Sequence, residues 1–344
     1  MVEIVVFLHK LFVMTRYSRL SSFAIAAIAL ISCNKGRQVT APTAGVVPEQ
    51  KHSTQRIASA TVLGAPVAEA KLYKLLPGYS SGDNFEASGV YSLGSYFYIA
   101  CDNMQKITKI KSTLPINSSS NSLLSTGAPG SGSSNFEGIT YDNNGTVNFF
   151  TVEESAQNGS VYQPRIYEYD ASMNYQRRSW ANYNFTSSNN NKAFEGITWV
   201  YRGGNDYLLG IVESTGVIAV LRKTSGNWVL DATITLPSSV TFSDYSDICV
   251  YGNKIAILSQ QDCQFWIGTL SSTSWTITGG TAYEFPKGSS GGVVGAGTNV
   301  LYANAEGISF INDNQVVVVS DKADNSQPSY QSYKDQSVAI FNIP

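Results

Sequence analysis

From about residue 84 onward, apolar residues come in short runs broken by Gly, Asn, Asp and Ser, and no stretch carries a helical stripe. Five units repeat one plan. They open with "FEASGVYSLGSYFYIACDN" (85–103), "FEGITYDNNGTVNFFTVEES" (136–155), "FEGITWVYRGGNDYLLGIVES" (194–214), "YSDICVYGNKIAILSQQD" (245–262) and "AEGISFINDNQVVVVSD" (305–321). The steps from Gly89 to Gly138, Gly196, Asp247 and Gly307 are about 50 to 60 residues, the length of a four-stranded propeller blade. Each opening reads as two strands joined by a tight turn, with Asn144-Gly145 and Gly203-Gly204 supplying positive φ. A third strand follows in "RIYEYD" (165–170), "VIAVL" (217–221), "FWIGTL" (265–270) and "SVAIFNI" (337–343). Antiparallel units of this size hide their faces by stacking around an axis. The pattern therefore predicts an all-β fold, a β-propeller of five to six four-stranded blades around a central channel. "AKLYKLL" (70–76) is expected to complete the last blade, and a degenerate sixth blade has room at 215–245 or 270–304. The Ser/Gly-rich segment 117–135 reads as a loop between blades.

In a propeller the first strand of a blade lines the channel and the second runs antiparallel beside it. The start of one and the end of the other then share a face of the disc. The first set of carboxylates is Glu86, Glu137, Glu195, Asp247 and Glu306; the second is Asp102, Glu153 or Glu154, Glu213, Asp262 and Asp321. So many like charges in one mouth must take up protons, accept backbone N–H groups or hold a cation. All-oxygen donors of irregular geometry suit Ca²⁺ better than Mg²⁺. Glu137, Glu195 and Glu306 share a Glu-Gly-Ile context and are the leading metal ligands, ahead of Glu86 and Asp247. The competing role is structural, each carboxylate capping the backbone of the neighbouring blade.

Composition narrows the chemistry. Charged residues make up 14% of the 344 and the formal charge is -2, so no electrostatic feature points to nucleic acid. The only histidines, His9 and His52, precede the repeats. That disfavours zinc and excludes Ser-His-Asp and Cys-His catalysis in the repeat region. "GSSGG" (288–292) matches a nucleophile elbow only by chance, and "GAPGSG" (127–132) precedes no helix.

The chain start differs in kind. "LSSFAIAAIALISC" (20–33) follows Arg16 and Arg19 with a short apolar core and small residues before Cys33. Those are the parts of a secretory signal. "LISC" resembles a bacterial lipobox, which implies acylation of Cys33 and anchoring in a lipid membrane of the cell envelope, outer membrane or cell surface, outside the cytoplasm. Residues 1–33 thus read as a signal peptide, 34–70 as a tether and 71–344 as the propeller. Cys101, Cys249 and Cys263 permit one disulfide of undetermined pairing. A monomer is expected.

"FEGITY", "FEGITW" and "AEGISF", with "KGSSGGVVGAGTNVLYANAEGISF" (287–310), resemble the SdiA-regulated family of bacterial propellers over residues 72–344. "EGI" turns and "PRIYEYD" (164–170) also resemble the esterase-like phytase family. The resemblance implies a propeller with a metal site at the channel mouth, calcium being the expected ion. Blade four departs from it with Ser246-Asp247, and blade one inserts Ala87-Ser88 before Gly89. Two functions follow: a lipid-anchored protein that binds a small molecule or protein partner, which is favoured, or a metal-dependent hydrolase of a lactone, ester or phosphoester. In the hydrolase Ca²⁺ would polarise the substrate, and Glu153 or Asp321 would act as general base.

Overall fold

The computed structural model describes residues 60–344, apart from residues 131, 145–147 and 189. Five four-stranded antiparallel blades follow one another in the chain. Blade 1 comprises Ala87–Leu93, Tyr96–Cys101, Lys106–Lys111 and Ser122–Ser125. Blade 2 comprises Phe136–Tyr141, Phe149–Asn158, Val161–Tyr169 and Tyr175–Asn182. Blade 3 comprises Phe194–Arg202, Asn205–Val212, Ile218–Lys223 and Trp228–Ile234, and blade 4 Asp247–Tyr251, Lys254–Ser259, Gln264–Leu270 and Ile277–Glu284. Blade 5 takes Ala305–Asn312, Gln315–Ser320 and Ser337–Asn342 from the C-terminal end of the chain. Its fourth strand is Ala68–Lys71, paired antiparallel with Ser337–Ile340. First and last segments of the propeller thus share one sheet, which closes the ring.

The core lies between blades. Each of five hydrophobic clusters joins two neighbouring blades, the last joining blade 5 to blade 1. This accounts for the uninterrupted apolar second strands. In "QVVVVS", Val316 and Val318 face blade 4 while Val317 and Val319 face blade 1. Phe149 and Phe150 likewise turn to opposite neighbours. A strand covered on both sides has no solvent face to mark with polar residues.

The innermost strands meet at the axis through small residues. A Cβ on Gly89 would lie 2.8 Å from Gly138 Cα, and one on Gly138 would lie 2.7 Å from Ile197 N. One on Gly196 would lie 2.8 Å from Asp247 Cα, and one on Gly307 would lie 2.9 Å from Gly89 Cα. The remaining contact of the ring is a pair of hydrogen bonds. Asp247 accepts from its own Ile248 N–H at 2.7 Å and from Ile308 N–H of blade 5 at 2.7 Å. One level further along, Thr140 Oγ1 accepts from Trp199 N–H, Thr198 Oγ1 from Val250 N–H, and Ser309 Oγ from Ser92 N–H. The repeat of glycine at one position and Ser or Thr two residues on is therefore the stitching of the ring.

Several expectations change. Residues 215–245 and 270–304 contain the outer strands of blades 3 and 4, and the described residues hold five blades and no sixth. The segment 117–135 contains the fourth strand of blade 1, Ser122–Ser125. Of "AKLYKLL", only Ala70 and Lys71 belong to the closing strand; Leu72–Leu75 is a helical turn. Ordered pairing also begins before residue 71, because Thr61–Val62 adds in parallel to the outer edge of blade 4. Cys101, Cys249 and Cys263 are buried free thiols, with no disulfide among the described residues. The signal segment and Cys33 lie outside the described residues; among those described, no helix is long and apolar enough to cross a membrane.

Candidate functional site

The mouth is built by a bulge. In blades 2, 3 and 5 the pairing of the first two strands slips by one residue just before the ring glycine, leaving Glu137, Glu195 and Glu306 unopposed. An extra residue in one strand re-aims its side chain. The same slip occurs at Ser88 in blade 1. Blade 4 has no slip within its strand, and the residue before Asp247 is Ser246. The residues just before the ring positions are thus Ser88, Glu137, Glu195, Ser246 and Glu306, four of them at bulges.

The second set follows from the partners of the ring residues. Ala100, Val152, Ile211, Leu258 and Val319 pair with Gly89, Gly138, Gly196, Asp247 and Gly307. Two residues on from each stand Asp102, Glu154, Glu213, Gln260 and Asp321. Four of these fold back to the entry of their own blade. The backbone N–H groups of Asp102, Glu154, Glu213 and Asp321 donate to the carbonyls of Glu86, Asn135, Ala193 and Asn304.

These groups do not share their charge evenly. Burial raises Asp102 to about 9, reinforced by a hydrogen-bonding contact with the Glu86 carboxyl and by the charges of Glu86, Asp321 and Glu154. Glu137 is held well above the usual carboxylate range, first by burial and then by Asp102, Glu154, Glu306 and Asp321. Asp102 Oδ1 is buried without a hydrogen-bond partner among the described residues. Glu86, Asp102, Glu137, Glu154, Glu306 and Asp321 therefore form one repelling cluster on blades 5, 1 and 2. Lys192 lies 3.5 Å from Glu213 on blade 3, and Gln260 Nε2 of blade 4 donates to Glu306 Oε1 of the cluster at 2.5 Å.

Other candidates stand apart from this cluster. Asp247 occupies the ring position of a glycine, not the bulge position of Glu137, and its carboxyl is spent on two backbone N–H groups. Burial raises it well above the ordinary range, those two hydrogen bonds opposing. Glu153 pairs with Arg165 and accepts from Tyr167 Oη at 2.9 Å inside blade 2, while its neighbour Glu154 takes the mouth position. Asp262 accepts from Ser243 N–H at 2.6 Å and from the hydroxyls of Ser243 and Ser259, and so braces a loop. Gln260 was missed from sequence because it is not acidic. Counting two residues from the partner of the ring residue finds Gln260.

The donors at the mouth are hard oxygens, the chemistry of a Ca²⁺ site. As they stand, no group of three His, Cys, Asp or Glu side chains among the described residues is gathered closely enough to hold an ion.

No family model matches the chain, and no curated protein does. Among solved structures it is similar to a luciferin-regenerating enzyme at 10% identity and TM-score 0.45, over 80% of this chain and 95% of that one. It is similar to the PQQ-bound aldose sugar dehydrogenase of Streptomyces coelicolor at 9% identity and TM-score 0.37, over 81% and 99%. It is also similar to the Dos1 propeller at 6% and 0.35, over 69% of this chain and 53% of that one. Likeness this distant carries no argument; the sheet arrangement itself makes the fold a β-propeller.

Proposed function

We propose that this chain is a lipid-anchored propeller of the bacterial cell envelope, held through acylated Cys33, that binds a partner or small molecule at a Ca²⁺-loaded channel mouth. The observation that carries this reading is the mutual repulsion of buried carboxylates on one side of the mouth. Six carboxylates act on one another there, and Asp102 and Glu137 are driven towards protonation. A divalent cation supplies at neutral pH what protons otherwise supply. Glu137 and Glu306 are the first ligands in this reading, with Asp102, Glu86 and Asp321 beside them; Glu195 sits one blade further round. Binding requires these side chains to turn inward, since they are not gathered at coordination distance. Asp247 and Glu153 already have structural partners and are left out. The Glu-Gly-Ile repeats keep the SdiA-regulated resemblance, and the calcium it implies, as the family reading.

Thermal unfolding with Ca²⁺ and with EDTA tests the proposal. A cation that binds only the folded state raises the midpoint in a concentration-dependent way. The expected result is a rise with Ca²⁺ that Glu137→Gln abolishes; equal midpoints with Ca²⁺ and EDTA would rule the site out. Metal-dependent turnover of an ester, lactone or phosphoester, lost in the same variant, would replace binding by hydrolysis.

A further inference from the structure

Each inner hairpin turns at the face of the disc opposite the mouth, and that face is aromatic. Tyr91, Tyr141, Trp199, Tyr201, Tyr251 and Phe310 all stand in the second half of an innermost strand, close to its turn. The rings of Tyr91 and Tyr141 stack with centroids 6.1 Å apart, those of Trp199 and Tyr201 with centroids 6.2 Å apart, and Tyr251 packs on Phe310 at 6.0 Å. The outermost of them are uncovered: Tyr201 is 48% exposed and Tyr251 43%. Long-stemmed cations flank them at the same end. Arg202 lies 3.8 Å over the ring of Trp275, Lys254 pairs with Asp313 at 2.9 Å, and Lys109 lies 4.3 Å over the ring of Tyr96. The cluster of repelling carboxylates is on the other face.

Tyr and Trp, with an apolar ring and a polar edge, and cations on long apolar stems are the side chains that settle at the headgroup level of a bilayer. Charge selects the same face. An anionic lipid surface repels the carboxylates of the mouth and accepts the cations and paired charges of the aromatic end. The course of the chain agrees. Thr61–Val62 runs parallel to Tyr283–Glu284 and towards the mouth, so its N-terminal end points to the aromatic side. Covalent length is no obstacle, since residues 34–60 span at most about 90 Å when fully extended. We infer that the aromatic end of the propeller rests on the lipid bilayer, with the acidic mouth turned away from it into solvent. The inference rests on the anchored reading above and adds to it the orientation in which the mouth meets its partner.

Hydrogen exchange on the full chain, held at vesicles of phosphatidylethanolamine and phosphatidylglycerol, tests it. Coupling Cys33 to a maleimide lipid presents the chain whether or not cells acylate it, because Cys101, Cys249 and Cys263 are buried. The intact mass of the chain made in cells reads the acylation separately, so the two readings fail apart. Against the same chain coupled to a soluble maleimide, the amides of the turns at 93–96, 202–205 and 251–254 should exchange several-fold more slowly. The mouth-side segment 322–328 should exchange equally in both samples. Tyr201→Ser combined with Tyr251→Ser should abolish the slowing without lowering the melting midpoint, and Glu137→Gln should leave it intact. If the three turns exchange equally in both samples, if the mouth-side segment is slowed instead, or if the slowing survives the double substitution, the inference falls.

Discussion

At the scale of single residues, the ring position and the bulge position do different work although they are adjacent. Gly138 is a packing residue: a methyl there meets backbone atoms of Ile197 and Gly196, which cannot swing aside. Gly138→Ala should therefore cost about 1–3 kcal/mol, as overpacking does, measured as a lowered denaturant midpoint at constant slope. Asp247→Ala should cost a similar amount, about 1–3 kcal/mol, because the Ile308 N–H loses its acceptor in a buried place. Glu137 is a charge residue, and its signature is pH. A carboxyl raised on folding binds more protons in the folded chain than in the unfolded one, so stability falls as pH rises. For Asp102 the window runs from the unfolded value of about 4 to about 9 in the folded protein. Melting in EDTA should thus drop steadily between those limits, and Glu137→Gln should flatten the drop. A midpoint that rises across the window would contradict the mouth electrostatics. The sequence made the ring residues legible, because glycine and Asp247 recur at blade spacing. It did not distinguish Glu153 from Glu154, since adjacent carboxylates on a strand point to opposite sides and the bulge that decides between them has no composition of its own.

At the scale of elements, the second strands were readable because apolar runs bounded by turns recur, and Gly203 and Gly204 have the φ of 56° and 79° that their tight turn needs. Outer strands were harder to see. Ser122–Ser125 is short and partly exposed, so it looks like the loop around it. Trp228–Ile234 alternates less regularly because its edge is shared with blade 2, at Ala181 opposite Trp228. Ala68–Lys71 carries no pattern beyond four half-buried residues, yet it completes blade 5, and Lys71 Nζ bonds Asp335 Oδ1 at 2.5 Å. Deleting residues up to 71 should therefore lower the melting midpoint far more than deleting residues up to 64, which among the described residues removes the two-residue strand on blade 4 and the core residue Leu63. Equal midpoints for the two truncations would show that the shared blade does not hold the ring closed.

At the scale of the whole molecule, five blades are enough because each buries both faces between neighbours, and a ring has no exposed face left to cover. Closure also concentrates charge: strands that converge at the axis bring their bulge residues together whatever those residues are. Glu86, Asp102, Glu154 and Asp321 add to Glu137 and Glu306 there, which places the strain on blades 5, 1 and 2. The central claim is that a cation relieves that strain. Elemental analysis of the full chain, equilibrated with Ca²⁺ at pH 8 and then freed of unbound ion, tests it most directly. The account predicts Ca²⁺ retained in stoichiometric amount by the unmodified chain and lost when Glu137→Gln and Asp102→Asn are combined; a folded, unmodified chain that retains none would contradict it.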